Sequence, residues 1–153
     1  MITIKEMAEM LGISTTTVSN VINGKTSEVS QKTAEKVQKL LDEYDYVPNM
    51  NAKNLAQNHS RLIGIVLKRR KDKYENIFTD PFHGELLGSL EAAIRERGYY
   101  MMLYTSEDID EIVRNVVSWN TEGLILIGML HDDYLKIRSK YKKPAVLIDS
   151  YTP

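Results

Sequence analysis

Residues 3–24 read TIKEMAEMLGISTTTVSNVING, and the way this stretch divides decides the fold of the first third of the chain. Thr3 is a good N-cap with Glu6 three residues on, a capping box, and Ile4, Met7, Ala8 and Leu11 fall on one helical face. Gly12 stops that helix, and Ser14 restarts one as the next N-cap, with Val18, Val21 and Ile22 as its apolar stripe and Asn23-Gly24 as its end. Two short helices thus meet across a tight Gly12-Ile13-Ser14 turn. A third begins at Ser30, turns Ala34, Val37, Leu40 and Leu41 inward and Lys32, Lys36 and Lys39 outward, and runs to about Tyr44. Pro48 prevents its continuation. A Gly-containing turn between two helices suggests helix-turn-helix, weakly by itself. The outer face of the second helix strengthens it. Thr15, Thr16, Ser19, Asn20 and Asn23 stand where an ordinary solvated helix carries Glu and Lys. Short hydrogen-bonding side chains suit base edges and phosphate oxygens.

From Arg61 the period changes. Residues 62–67, 100–104, 124–127 and 145–148 are short continuous apolar runs, as expected of strands buried on both faces. Helical patterns lie between them: one opens on Asp80 as N-cap with Pro81 at the first position and ends at Gly98, and others span roughly 108–119 and 131–141. Strand and helix alternating in this way predict βαβ units and a parallel sheet with right-handed crossovers. The expected fold is an all-α headpiece (1–48), a hinge helix and linker (49–60) and an α/β unit (61–153).

Bulk properties narrow the function. The 153 residues include no cysteine, which excludes a disulfide framework, a thiolate metal site and a cysteine nucleophile. His59, His83 and His131 form no ligand-spaced cluster, so neither a metal nor a cofactor is expected. No apolar run approaches the roughly 20 residues that span a bilayer, and the first residues lack a signal-peptide layout, which leads to an expectation of a cytoplasmic protein. The net charge is −1, and residues 1–60 hold six lysines and no arginine against seven acidic residues, unusual for a DNA binder. The basic cluster Arg61, Lys68, Arg69, Arg70, Lys71 and Lys73 reads as a solvated loop.

The pattern Thr3-Ile4-x-x-Met7-Ala8, Gly12-x-Ser14, Thr17-Val18-Ser19, Asn23-Gly24, Val29-Ser30, Thr33, Val37, Tyr46-x-Pro48-Asn49, Ala52 and Leu55-Ala56 resembles the lactose-repressor (LacI/GalR) family of transcription regulators. Asp80-Pro81-Phe82, Glu122-Gly123-Leu124-Ile125 and 144–149 resemble the family's sensor core, whose architecture is shared with periplasmic binding proteins. The resemblance implies a repressor that binds a palindromic double-stranded DNA operator as a homodimer under control of a small effector, commonly a sugar or nucleobase. Carried over by position, Thr15, Thr16 and Asn20 face bases, while Ser14, Thr17, Ser19, Asn23, Ser30, Thr33 and Asn49 fix the backbone. Thr3, Tyr46, Ala52 and Ala56 complete the DNA-binding set. Many relatives carry arginine where this chain has Asn20, which shifts the expected contact from guanine to adenine. The segment 49–57 is too short and polar to be a stable helix alone. In the family it pairs with its symmetry mate and drives a leucine, here Leu55, into the minor groove. Full-length members place the effector between two α/β lobes, of which this chain holds part of the first. Together with the rule that ligands collect at the carboxyl ends of parallel strands, this directs an effector to Phe82, Thr105, Ser106, Gly128 and Asp149.

Two other classes compete. A small nucleotide-dependent α/β enzyme with a helical extension needs a phosphate-binding glycine loop after the first strand, but Leu67 is followed by Lys68-Arg69-Arg70-Lys71 and no glycine comes until Gly84. A transport-type sugar-binding protein shares the α/β architecture, and the headpiece and the absence of a signal peptide speak against it.

Overall fold

The computed structural model describes residues 1–70 and 76–150, and Lys71 and Lys73 of the basic cluster lie outside them. The chain divides into two compact units, the first Met1–Lys53 and the second beginning at Asn54.

The first unit is helical. Helix α1 spans Ile4–Leu11, α2 Thr15–Ile22 and α3 Gln31–Glu43, with a 3-10 turn at Thr26–Glu28 that the sequence pattern does not announce. Thr3 caps α1 reciprocally: its hydroxyl accepts from the Glu6 amide and its own amide donates to Glu6 Oε2 at 2.7 Å. Those bonds hold the Glu6 carboxyl below its usual range. Ser14 and Ser30 cap α2 and α3 through the amides of Thr17 and Thr33. The predicted apolar faces converge on Met7, Ala8, Val18, Val21 and Val37, with Ile4, Leu11, Ile22, Ala34, Leu40 and Leu41 packed around them.

Helix α4, Met50–Gln57, buries no residue. Asn49 caps its start by accepting from the amides of Asn51 and Ala52 at 3.0 and 3.4 Å. Its end is a left-handed residue, Asn58 (φ 52°), flanked by His59 N–H donating to Asn54 O and Asn58 N–H donating to Leu55 O. The same double bond pattern closes α1 at Gly12 (φ 65°), α3 at Asp45 (φ 47°) and, in the second unit, α6 at Asn120 (φ 51°).

In the second unit β1 (Leu62–Lys68), α5 (Pro81–Glu96), β2 (Tyr100–Ser106), α6 (Ile109–Ser118), β3 (Gly123–Ile127), α7 (His131–Lys140) and β4 (Ala145–Ile148) follow in order. The strands form one parallel sheet in the order β2-β1-β3-β4. Ile65, Leu67 and Ile127 pack with Leu87 and Ile94 of α5 on one face, and Val66, Leu124 and Leu126 pack with Ile112, Val116 and Ile137 of α6 and α7 on the other. Gly64 sits opposite Leu124, whose Cδ2 lies 2.7 Å from where a Cβ would stand, so a side chain there would displace the core. The central strands are buried on both faces as predicted. The outer strands are not: Val146 of β4 is 57% exposed, because the sheet order leaves β2 and β4 at the edges. Lys68 also departs from the loop reading, since it ends β1 and reaches Asp133 with 2.7 and 2.8 Å bonds.

Candidate DNA-binding surface and effector cleft

The outward side of α2 carries Thr15, Thr16 and Asn23 exposed and Ser19 and Asn20 half-exposed. Several of these groups already hold a bond. Asn23 Nδ2 donates to Ser19 O at 2.9 Å and to Ser19 Oγ at 3.2 Å, and Asn20 Nδ2 donates to Glu28 Oε2 at 3.3 Å across to the 3-10 turn. Ser14 and Thr17 share a hydroxyl bond of 2.8 Å beside the start of α2, and Ser30 and Thr33 repeat that arrangement at α3. In each pair one hydroxyl proton is spent on the other oxygen, so one hydroxyl per pair is left to donate to a phosphate oxygen, at α3 that of Thr33. Thr3 caps α1. Tyr46 is half-buried and packs against the headpiece core. On α4, Ala52, Leu55 and Ala56 share one face at helical spacing, and Leu55 is 85% exposed between the two small residues.

A cleft of about 310 Å³ opens at the carboxyl ends of β1, β3 and β4 and the start of α5. Phe82, Gly128 and Asp149 line it, as do Lys68, Arg69, Asp80 and His83. Asp149 stands there with a left-handed backbone (φ 48°) and Gly128 N–H donates to Ile148 O at 3.0 Å, so the turn after β3 is tied to β4. Thr105 and Ser106 lie outside this lining. Both end β2, an edge strand, and the buried Ser106 hydroxyl donates to Glu111 while accepting from the Asp108 amide at 3.1 Å. Glu111 also accepts from Tyr104, and the bonds from Ser106 and then Tyr104 hold its carboxyl below the usual range. Sequence reasoning did not place Lys68, Asp80 or His83 at the cleft. The strand-end position of Lys68 was the available signal. The arrangement of cations, carboxylates and an aromatic edge suits a small polar molecule.

A helix-turn-helix module ahead of a parallel α/β unit with a strand-end cleft sets the class of fold. Residues 3–49 match the family described as bacterial regulatory proteins, lacI family, and this module belongs to it. The whole chain is similar to regulators of that kind. It is 37% identical to the HTH-type transcriptional repressor PurR of Vibrio campbellii, covering 97% of this chain and 44% of that protein. It is 29% identical to the HTH-type transcriptional regulator PtxS of Pseudomonas aeruginosa, over 97% of this chain and 42% of the relative. Among solved structures, the lac repressor dimer bound to operator and the anti-inducer ONPF matches with a TM-score of 0.81 and 25% identity, covering 98% of this chain and 45% of that one. The chain thus spans less than half the length of these proteins. Among the described residues no helix is long and apolar enough to cross a membrane.

Proposed function

We propose that this protein is a sequence-specific transcriptional repressor, not an enzyme, that binds a two-fold DNA operator in the cytoplasm as a homodimer and answers to a small metabolite. The observation that carries the reading is the α2 face of short polar side chains on a module that matches the lacI family. Thr15, Thr16 and Asn20 read base edges in the major groove. Ser14, Thr17, Ser19, Asn23, Ser30, Thr33 and Asn49, with Thr3, set register on the phosphates, helped by the starts of α2 and α3. Tyr46, half-buried against the headpiece core, belongs to the same DNA-binding set. Ala52, Leu55 and Ala56 present an apolar wedge to the minor groove, the small flanking residues allowing close approach. Residues 1–48 serve as headpiece, 49–60 as hinge and linker, and 61–153 belong to the effector-binding domain.

The effector occupies the cleft beside Phe82, Gly128 and Asp149, where a carboxylate at a strand end accepts hydroxyl hydrogen bonds. Similarity to a sucrose operon repressor of Klebsiella pneumoniae, 29% identical over 97% of this chain, supports a sugar or similar metabolite. Footprinting tests the whole reading: one headpiece reads only a few base pairs, so the protected site should be a palindrome. Protection of a single asymmetric half-site by the dimeric protein would refute it.

A further inference from the structure

Residues 58–61 join α4 to β1, and their path is set by the turn between α6 and β3. His59 places Nδ1 2.8 Å from Glu122 Oε1, and the nearby backbone amides of Ser60 and Arg61 help favour the ionised form of the same carboxyl. Ser60 Oγ donates to Asn120 O at 2.6 Å, and Asn54, in α4, donates its side-chain amide to Ser60 O at 3.1 Å. Arg61, with φ 55°, accepts from the Tyr100 amide at 2.8 Å. Successive N–H groups around a left-handed residue form an anion-binding concavity. Here the anion is a side chain of the same protein, Glu122, 63 residues beyond His59.

The receiving turn is itself immobilised. Thr121 is fully buried, its hydroxyl donates to Val116 O at 3.0 Å, and its carbonyl accepts from Tyr141 Oη at 2.9 Å. Lys143 Nζ donates to Asn120 Oδ1 at 2.7 Å and to Thr121 O at 3.1 Å. The Glu122 side chain is only 17% exposed, where a charge-assisted bond is stronger than on an open surface. Burial pushes its carboxyl up, and the bonds from His59, Arg61 and Ser60 outweigh burial and hold it below the usual range.

We propose that Glu122 is a positioning residue for DNA binding: by holding His59 beside the turn that also takes the Ser60 hydroxyl, it fixes how the second half of α4 leaves the sheet, and so where Leu55 is presented. This role rests on the DNA-binding reading above. The anchor itself does not.

The test compares Glu122→Ala, Glu122→Gln and Ser60→Ala in the full chain, by amide exchange without DNA and by affinity for a palindromic duplex. Glu122→Ala should speed exchange at Ser60 and Arg61 about tenfold and weaken binding about tenfold, which is about 1.4 kcal/mol, with little change in thermal midpoint. Glu122→Gln keeps an acceptor and should recover much of that loss, a rescue that a role confined to sheet stability would not produce. Ser60→Ala lies on the linker side and should weaken binding less, and it carries the test if Glu122→Ala fails to fold. Unchanged affinity, or unchanged exchange at Ser60 and Arg61, in the folded variants overturns the proposal. A parent chain that binds no palindrome overturns the functional reading instead, and exchange in the variants still decides whether Glu122 holds the linker.

Discussion

Helices α2 and α4 are both eight residues long and both largely polar, yet different forces hold them. Val18 and Val21 tie α2 into the headpiece core beside Met7 and Val37. α4 has no buried residue and depends on Asn49 at one end, Asn58 at the other and the linker bonds beyond. An isolated helix of that length lies well below the roughly 12–15 residues at which helices become marginal in water. Helix α2 is therefore a fixed part of a folded core. Helix α4 is a capped segment with an exposed Leu55. Substitutions on the buried face of α2 should read out in folding, and substitution of the exposed Leu55 on α4 only when DNA is present.

The largest separation is expected between Val18→Ala and Leu55→Ala. Val18 is fully buried, so its truncation should cost about 2 kcal/mol of headpiece stability, measured by thermal or denaturant unfolding. Leu55→Ala should leave free-chain unfolding within about 0.5 kcal/mol of the parent. On a palindromic operator it should lower affinity and bend angle together, because without the wedge the central base step stays stacked. Weak binding with parental bending, in a fluorescence bend assay, would return Leu55 to protein packing and dissolve the contrast between the helices.

Next in size is Asn20→Ala, which should cost on the order of 1–3 kcal/mol and relax preference at one operator position without altering bend. Its bond to Glu28 introduces a second effect. Turning Oδ1 and Nδ2 of Asn20 to an adenine competes with the bond that one Nδ2 hydrogen makes to Glu28 Oε2, and Glu28 adds negative charge beside the phosphates. Glu28→Ala should therefore bind several-fold tighter, in the range of about 0.5–1 kcal/mol. The parent should show a shallow dependence of log affinity on log salt, since residues 1–60 carry six lysines against seven acidic residues, and Glu28→Ala should steepen it. Equal affinities for parent and variant would mean that Glu28 does not face the DNA.

What was legible in the sequence was local chemistry. Thr3, Ser14 and Ser30 as caps, Gly12 as a stop and the faces around Val18 and Val37 follow from neighbours within one or two turns. The left-handed stops at Asp45, Asn58 and Asn120 were not legible, because Asn and Asp adopt that conformation only where the surrounding bonds favour it. Apolar runs located four strands but carried no information on their order. Strand ends as ligand sites therefore selected Thr105 and Ser106 on the edge strand β2 together with Gly128 and Asp149 at the cleft. Lys68 with Asp133, and Glu122 with His59, are pairs more than 60 residues apart, beyond the reach of any local pattern.

The smallest effects belong to the ends of α4, and they decide whether its order is built in. Asn58 holds φ 52°, a conformation that costs an ordinary L-residue roughly 1–2 kcal/mol and glycine almost nothing. Asn58→Ala should therefore lower α4 order by about 1 kcal/mol, and Asn58→Gly should be close to neutral, its greater freedom in the unfolded chain offsetting relief of strain. Asn49→Ala removes the acceptor for the Asn51 and Ala52 amides and should cost roughly 0.5–2 kcal/mol of the same local stability. Neither change touches the core around Val18, so global unfolding should stay parental while amide exchange quickens at Ala52 for Asn49→Ala and at Asn58 and His59 for Asn58→Ala. Without DNA these amides then report the caps alone. If exchange at α4 is already as fast in the parent as in an unstructured peptide, the caps do not order the helix, and its folding must be attributed wholly to the operator.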